Sequence, residues 1–547
     1  MTQKTKVIAI ATVALSLFSF TIGGKYFEIS KNLDLFISLY AELNTYYVDD
    51  LDTEALMEEG INAMLQSLDP YTVYYPEEEM EGYNLQMTGK YGGIGSLINK
   101  SEEYVIISEP YEGFPAQKAG LIAGDRIIEI NGESFVGKES DDVSKVLRGA
   151  PGTAVTLTIE KPRTGERSTI KLIREEVEIK SVPFAGMVDN NVGYIRLTTF
   201  TNDCSKDVKE ALANLSKEND LKGVILDLRG NPGGLLQEAV NISNLFIDRG
   251  IEVVKTKGRI REWEKTFKTR FSPVDTEIPI VVLTSRGSAS ASEIVSGVLQ
   301  DYDRGVIIGE RTFGKGLVQS TKDVGYNAKL KLTTAKYYLP CGRCVQAIDY
   351  SGKYKDGSDK INDSLRTAYK TINNRVVYDA GGVDPDIKVE AEELSQITIS
   401  LIRKQLIFDF SSDFVEKNKT IPSARDFKIT DALFDEFVGF IADKEYDYET
   451  QSEDFLKELK KNAEEENYYE SIEQEITQLE TKIKHDKEKD LFKYKGQIKE
   501  YLESEIVTRY YHQKGRIEAT LDDDPFVMEA AKVLNNPAQY NKILAKN

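Results

Sequence analysis

Between residues 191 and 310 short apolar runs alternate with helix-patterned segments, and this alternation constrains the fold more than any other feature of the chain. NVGYIRLTTF, GVILDLRG, IPIVVLTS and GVIIGE have the length and β-branched content of strands. The segments between them, Ser205 to Leu215, Leu235 to Phe246 and Ser290 to Leu299, have helical spacing. Parallel neighbours need a crossover of a dozen or more residues, usually a helix. The alternation therefore predicts a multidomain α/β protein with a mainly parallel-sheet core and covering helices. In such sheets ligands sit beyond the carboxyl ends of the strands, where strand-to-helix loops converge.

Around this core, at 181–390, the pattern changes four times. Residues 1–26 place Lys4 and Lys6 before an apolar stretch from Val7 to Ile22, the layout of a signal peptide or signal anchor. Both stay open, because no small-x-small cleavage site follows and the stretch is marginal for a bilayer span. Residues 27–83 form an N-terminal helical segment, with apolar positions at Leu35, Phe36, Leu39, Leu43, Leu56, Ile61, Met64 and Leu65. Residues 84–180 are short strands and turns with a helix from Asp141 to Leu147, a compact inserted domain. Residues 391–547, rich in lysine and glutamate at helical spacing, predict a C-terminal helical accessory domain whose ion pairs are a solvated face. Its helices lack the sustained a/d seam of a long coiled coil.

The chemistry is narrowed by what is scarce. Only two histidines occur in 547 residues, His485 and His512, both in the charged tail. A Ser-His-Asp hydrolase and a His-ligated zinc site are disfavoured, which leaves serine, lysine and carboxylate chemistry. A net charge of -20 with no basic block to offset it argues against nucleic acid. Cys341 and Cys344 in C-G-R-C lie between two strand-like runs, not at the strand-to-helix junction of a thioredoxin-type pair. A local disulfide or two unpaired thiols is expected there. Neither G-x-G-x-x-G nor G-x-x-x-x-G-K-[ST] is present, and no paired carboxylates or metal cluster stands out, so no cofactor and no metal is expected.

Residues 278–319 carry the best candidate site. A buried strand leads into Gly-Ser-Ala-Ser-Ala-Ser, where small residues allow a sharp bend and leave N–H groups at a helix start. A hydroxyl there can attack a carbonyl while a neighbouring amide holds the oxyanion. Ser288, Ser290 and Ser292 are the candidates; spacing selects none of them, and two of the three serve equally well as helix caps. Lys315, in Thr-Phe-Gly-Lys-Gly, is the natural base, because burial among small residues would favour its neutral amine. Gln319 falls on the lysine's face if GLVQ is a strand. A glycine of the loop Asp227 to Leu235 can complete a two-donor oxyanion hole with the amide of Ala291.

These segments resemble the C-terminal processing, or tail-specific, serine peptidases of bacterial cell envelopes, peptidase family S41. The resemblance spans roughly residues 30 to 390 and rests on LDPYTVYY, FPAQKAGLIAGDRIIEING, LRGAPGT, GYIRLTTF, LDLRGNPGG, GSASASEIVSGVLQD, TFGKGLVQ and GGVDPDI, in that order. It implies Ser290 as nucleophile, Lys315 as general base, Gln319 orienting the lysine, and Gly233 and Ala291 as oxyanion donors. Glu293 and Asp301 match positions that support the site, and Cys341 replaces the family's small hydroxyl residue. Residues 89–177 resemble the family's PDZ module, in which Gly92-Gly93-Ile94-Gly95 would receive a peptide carboxylate, with Ile94, Val143, Val146 and Leu147 as pocket walls.

The resemblance implies an exported, serine-type C-terminal processing endopeptidase acting through an acyl-enzyme. Its partners would be unfolded protein C-terminal tails or peptides, with an adaptor or self-association through the C-terminal helical region, and no nucleic acid. The location implied is the periplasmic side of the envelope, soluble after signal cleavage or anchored to the inner membrane through contact by the N-terminal segment. The alternative is a catalytically inactive PDZ-containing peptide-binding or scaffold protein. An intact dyad and intact oxyanion glycines separate the two.

Overall fold

The computed structural model describes residues 26–189, 191–218, 220–350, 359–487 and 489–545. Residues 1–25, the bulk of the signal-like stretch, lie outside them. The chain divides into two compact units, Met1–Tyr74 with Leu330–Leu332, and Tyr75–Lys329 with Thr333–Asn547. In the first, helix α1 (26–46) precedes α2 (Thr53–Gln66), which starts where the Asp52 carboxylate accepts the N–H groups of Glu54 and Ala55. The Tyr40 hydroxyl donates to the Thr53 carbonyl at 2.7 Å and ties the two together.

The second unit begins with α3 (Met80–Thr88) and β1 (Lys90–Gly93), then a sheet built from β2 (Ser96–Ser101), β3 (Tyr104–Pro110), β4 (Arg126–Ile130), β5 (Ala154–Glu160) and β6 (Arg167–Ile173). These strands pair antiparallel in chain order, and β7 (Glu175–Glu178) returns to pair with β1. Short helices α4 (Pro115–Lys118) and α5 (Ser140–Leu147) close the domain. The core joins Ile94, Ile107, Ile127, Val143, Leu147 and Leu157, so the expected pocket walls are largely core side chains. β2 lies at the edge of its sheet, the place where strand addition occurs, and its Lys100 carbonyl accepts from the Gln405 side chain at 3.1 Å.

The next sheet runs in the order β8 (Phe184–Met187), β9 (Val192–Arg196), β10 (Gly223–Asp227), β13 (Ile280–Thr284), β14 (Val306–Gly309) and β17 (Ile387–Lys388). Crossover helices α6 (Cys204–Glu218), α7 (Leu236–Phe246) and α8 (Ala291–Asp301) link its parallel members. Every residue of β10, β13 and β14 is buried, as strands covered on both faces require. Val224, Leu226, Ile280 and Val282 pack under α6, α7 and α8. Their alternates Ile225, Val281 and Leu283 meet Phe526, Val527, Val533 and Leu534 from α16 (Pro525–Leu534), and Tyr540 from α17 (Pro537–Leu544). The Tyr540 hydroxyl accepts the Ile280 N–H at 3.0 Å.

The expectation of a mainly parallel-sheet core needs correction, because the sheets are mostly antiparallel. Among the described residues four ladders of this sheet are parallel, with one isolated parallel bridge between Phe200 and Gly234, while β8 joins the sheet antiparallel. The same stretch of chain also builds β11 (Glu252–Gly258), β12 (Lys265–Lys268), β15 (Leu317–Gly325) and β16 (Ala328–Tyr338), in which β11 pairs antiparallel with both β12 and β16. The physical reason is local. Parallel pairing needs a crossover helix, and where β11 meets β12 and β15 meets β16 the connection is too short to hold one.

Helices α9 (Gln396–Arg403), α10 (Leu406–Lys417), α11 (Asp431–Ile441), α12 (Gln451–Glu465), α13 (Tyr469–Lys487), α14 (Asp490–Lys493) and α15 (Lys495–Thr520) follow. Leu401, Phe410, Phe434, Phe437, Ile498 and Leu502 give them their own core. This domain also holds the β2–β6 domain. Arg163 pairs with Asp413 at 2.7 Å, and Gln117 donates to His512, which sits at a break in α15 (φ 55°, ψ -163°). Among the described residues no helix is long and apolar enough to cross a membrane.

Candidate active site

Two strand-to-helix loops meet at the carboxyl ends of β10 and β13. The turn after β13 reaches α8 through Ser290, whose φ of 55° and ψ of -109° are strained for a residue bearing a Cβ. The surrounding serines separate by burial. Ser288 is buried and donates to the Leu228 carbonyl at 2.8 Å; Ser292 is buried and donates to the Asn231 carbonyl at 2.9 Å. Both therefore bind the turn to the loop after β10, while Ser290 is half-buried.

That neighbouring loop approaches closely only because it carries glycine. A Cβ on Gly233 would stand 2.6 Å from the Ala289 carbonyl oxygen and 2.8 Å from the Ala291 nitrogen. Gly233 also has φ 97°, which favours glycine. Its N–H, expected to serve an oxyanion, donates to Asn231 Oδ1 at 2.9 Å. Asn231 is wholly buried, and its amide donates in turn to the Leu197 carbonyl at 2.8 Å. The loop is anchored by Asp227, which accepts from Tyr194 (2.6 Å), Arg196 (2.5 Å) and Arg229 (2.6 Å); Arg229 also pairs with Asp524 at 2.7 Å. Burial works against the Asp227 anion, yet Arg229 and Arg196 outweigh it and hold this carboxyl well below the usual range.

Glu293 joins the nucleophile turn to the lysine loop. Its carboxylate is wholly buried in the first turn of α8. Oε1 accepts from the Thr312 hydroxyl at 2.6 Å and the Gly314 N–H at 2.7 Å; Oε2 accepts from the N–H groups of Ser290 at 2.9 Å and Lys315 at 2.8 Å. One oxygen therefore touches the backbone of both expected dyad members. Burial pushes the Glu293 carboxyl up, and these donors offset that only in part. The lysine loop is fixed further by Phe313, whose N–H meets the Ser288 carbonyl at 3.0 Å, and by Gly382, where a Cβ would fall 2.4 Å from the Thr312 carbonyl oxygen. That contact explains the second glycine of GGVDPDI.

Lys315 is half-buried on the loop entering β15, and Gln319 lies within that strand. The Gln319 amide donates to the Thr333 hydroxyl at 3.2 Å across the β15–β16 pair. Asp301 stands apart, at the far end of α8, where it pairs with buried Arg343 at 2.9 Å and accepts the Cys341 N–H at 3.1 Å. It secures the C-G-R-C turn, in which Cys341 and Cys344 are free thiols. Sequence reasoning missed Asn231 and Thr312; both act through partners remote in the chain, which no spacing rule reveals.

Comparison with known proteins places these features. The family described as "Peptidase family S41" matches residues 191–352, "PDZ domain" matches 106–161, and "Probable PDZ-protease, C-terminal helical domain" matches 397–534. A "Carboxy-terminal-processing protease" of Bartonella bacilliformis is 38% identical over 58% of this chain and 73% of its own length. A "Probable CtpA-like serine protease" of Staphylococcus aureus is 34% identical over 74% of this chain and 80% of its own. Among solved structures, a photosystem II D1 C-terminal processing protease shares 27% identity over 65% of this chain and 92% of that one, with a TM-score of 0.35.

Proposed function

The chain belongs to peptidase family S41 as a PDZ-bearing serine peptidase, and from that premise we propose that it is an exported endopeptidase cutting near the C-termini of envelope proteins through a Ser290–Lys315 dyad. The observation that carries the reading is the shared Glu293 oxygen, which accepts the backbone N–H of Ser290 and of Lys315 at once. Domain by domain, 27–83 is the N-terminal helical segment, 84–180 the PDZ domain, 181–390 the protease core and 391–547 the helical accessory domain.

In this reading Ser290 Oγ attacks the scissile carbonyl carbon while the Lys315 amine takes its proton. The oxyanion forms against the N–H of Ala291 and that of Gly233, which exchanges Asn231 Oδ1 for the new charge. The carbon–nitrogen bond breaks, Lys315 returns the proton to the leaving amine, and water hydrolyses the resulting ester. Gln319 orients the lysine. An unfolded C-terminal tail would add to the edge strand β2, its carboxylate at Gly92-Gly93-Ile94-Gly95 and its last side chain against α5. Export follows from the lysine-led apolar stretch at the N-terminus, which would leave the protein on the periplasmic side of the envelope.

The test is turnover of an unfolded substrate followed by mass spectrometry. Ser290→Ala and Lys315→Ala are each expected to abolish cleavage while tail-peptide binding stays near wild type. Cleavage retained by either purified variant overturns the dyad, and a wild-type protein that binds tails without cutting them establishes the inactive scaffold instead.

A further inference from the structure

Tyr337 is wholly buried in β16, and none of the roles above uses it. Its backbone N–H donates to the Gly316 carbonyl at 2.9 Å, on the residue after Lys315, while its hydroxyl donates to the Ser290 carbonyl at 3.3 Å. Tyr337 thus forms a second bridge between the two halves of the site, at the carbonyl of Ser290 where the Glu293 bridge takes its N–H. The Ser290 carbonyl and the Ala291 N–H belong to one planar peptide unit, so fixing one end of that plane fixes the direction of the other.

We propose that Tyr337 is a positioning residue for the oxyanion hole, its hydroxyl setting the plane and polarity of the peptide whose N–H, at Ala291, meets the developing negative charge. The inference rests on the reading of Ala291 as a donor. Two physical effects support it. The strain at Ser290 favours rotation of this peptide toward a relaxed conformation; Glu293 holds the N–H end of the residue, and at the carbonyl end the Tyr337 hydroxyl adds a second donor to the Ile294 N–H of α8, which meets the same oxygen at 2.9 Å. A donor on a carbonyl also strengthens the N–H of the same amide, because linked hydrogen bonds polarise one another. Burial pushes the Tyr337 phenol far above its ordinary range, with the nearby Glu293 carboxylate adding to the shift, so it stays a donor at every working pH.

The test uses the full chain, a tail-peptide substrate and a peptide aldehyde, which forms a tetrahedral adduct with a serine nucleophile. In Tyr337→Phe, kcat is expected to fall about tenfold with KM within about twofold, and aldehyde affinity to weaken by the same factor. p-Aminophenylalanine at position 337, which restores a donor in the same volume, is expected to recover most of both losses. Unchanged kcat and aldehyde affinity, a loss confined to KM, or a loss that the amino variant does not recover overturns the proposal. If the phenylalanine protein does not fold, 3-fluorotyrosine at position 337, a stronger donor of similar size, is expected to tighten aldehyde binding by about twofold, and no change overturns it. Failure of the dyad itself shows separately, as an aldehyde that binds wild type and Ser290→Ala alike.

Discussion

The two loops of the site each carry a wholly buried carboxylate, and their surroundings move the two in opposite directions. Asp227 faces Arg196 and Arg229 and is held as an anion; Glu293 faces N–H groups and a hydroxyl and is pushed up by burial despite them. Burial disfavours charge in both places, so the difference lies in what answers it. Full opposite charges overcome desolvation, whereas dipoles, even four of them, do so only in part. The Asp227 loop is therefore built for stability, and the nucleophile turn is the part of the site sensitive to pH.

The strongest way to break this comparison is Glu293→Gln. An amide offers one acceptor oxygen where the carboxylate offers two, so one pair of donors must face an NH2 group. We expect kcat to fall by about a thousandfold, equivalent to about 4 kcal/mol, with peptide affinity retained; single-turnover kinetics beside binding measurements would show a smaller loss if Glu293 were merely filling space. Asp227→Asn should act on the fold instead, lowering the unfolding free energy by about 3 kcal/mol because it removes the buried anion that two half-buried guanidinium groups share. A urea midpoint equal to wild type would remove the distinction between the loops.

Acid sharpens the same contrast. The folded pKa of Glu293 lies above its ordinary value of 4.5, so the folded protein takes up this proton more readily than the unfolded chain. Glu293 therefore subtracts stability as pH rises through that interval, and its protonation on acidification does not unfold the protein. Asp227 is depressed below 3.8; its contribution is present above that value and is lost as pH falls through the folded pKa. Activity should consequently fail at a higher pH than the fold does, which a kcat profile set against circular dichroism would check; coincident loss would contradict it. The smallest effect is expected for Asp524→Ala, which removes the Arg229 partner and the cap of α16 and should cost about 1 kcal/mol, read as a shift in Tm.

How much of this could be read in advance depended on range. Helix α8, the strands that flank it and α5 were legible, because apolar period and turn residues are local signals. Long motifs point to Ser290 and Lys315 as the proposed dyad and to Glu293 as a supporting residue, whereas the four donors around Glu293 come from two separate stretches of chain. Tyr337 sits 47 residues from Ser290 in the chain and Asn231 lies 61 residues from Ser292, so their roles exist only once β16 and the β10 loop are folded. The antiparallel pairing was hidden for a similar reason: two strands of the parallel sheet, β13 and β14, intervene between β11 and β16. Helices α16 and α17 read as more of the charged tail, since an amphipathic pattern shows that a face is covered without saying by what.

Because α16 and α17 form the far wall of the six-stranded sheet, the folding unit is longer than the stretch that bears the proposed dyad. Residues 181–390 expressed alone would leave Ile225, Val281, Leu283 and Ile308 facing water on a flat apolar surface, an invitation to clump. Anyone trimming this protein to a minimal catalyst must carry the last two helices along, by linker or by co-expression, or expect inclusion bodies.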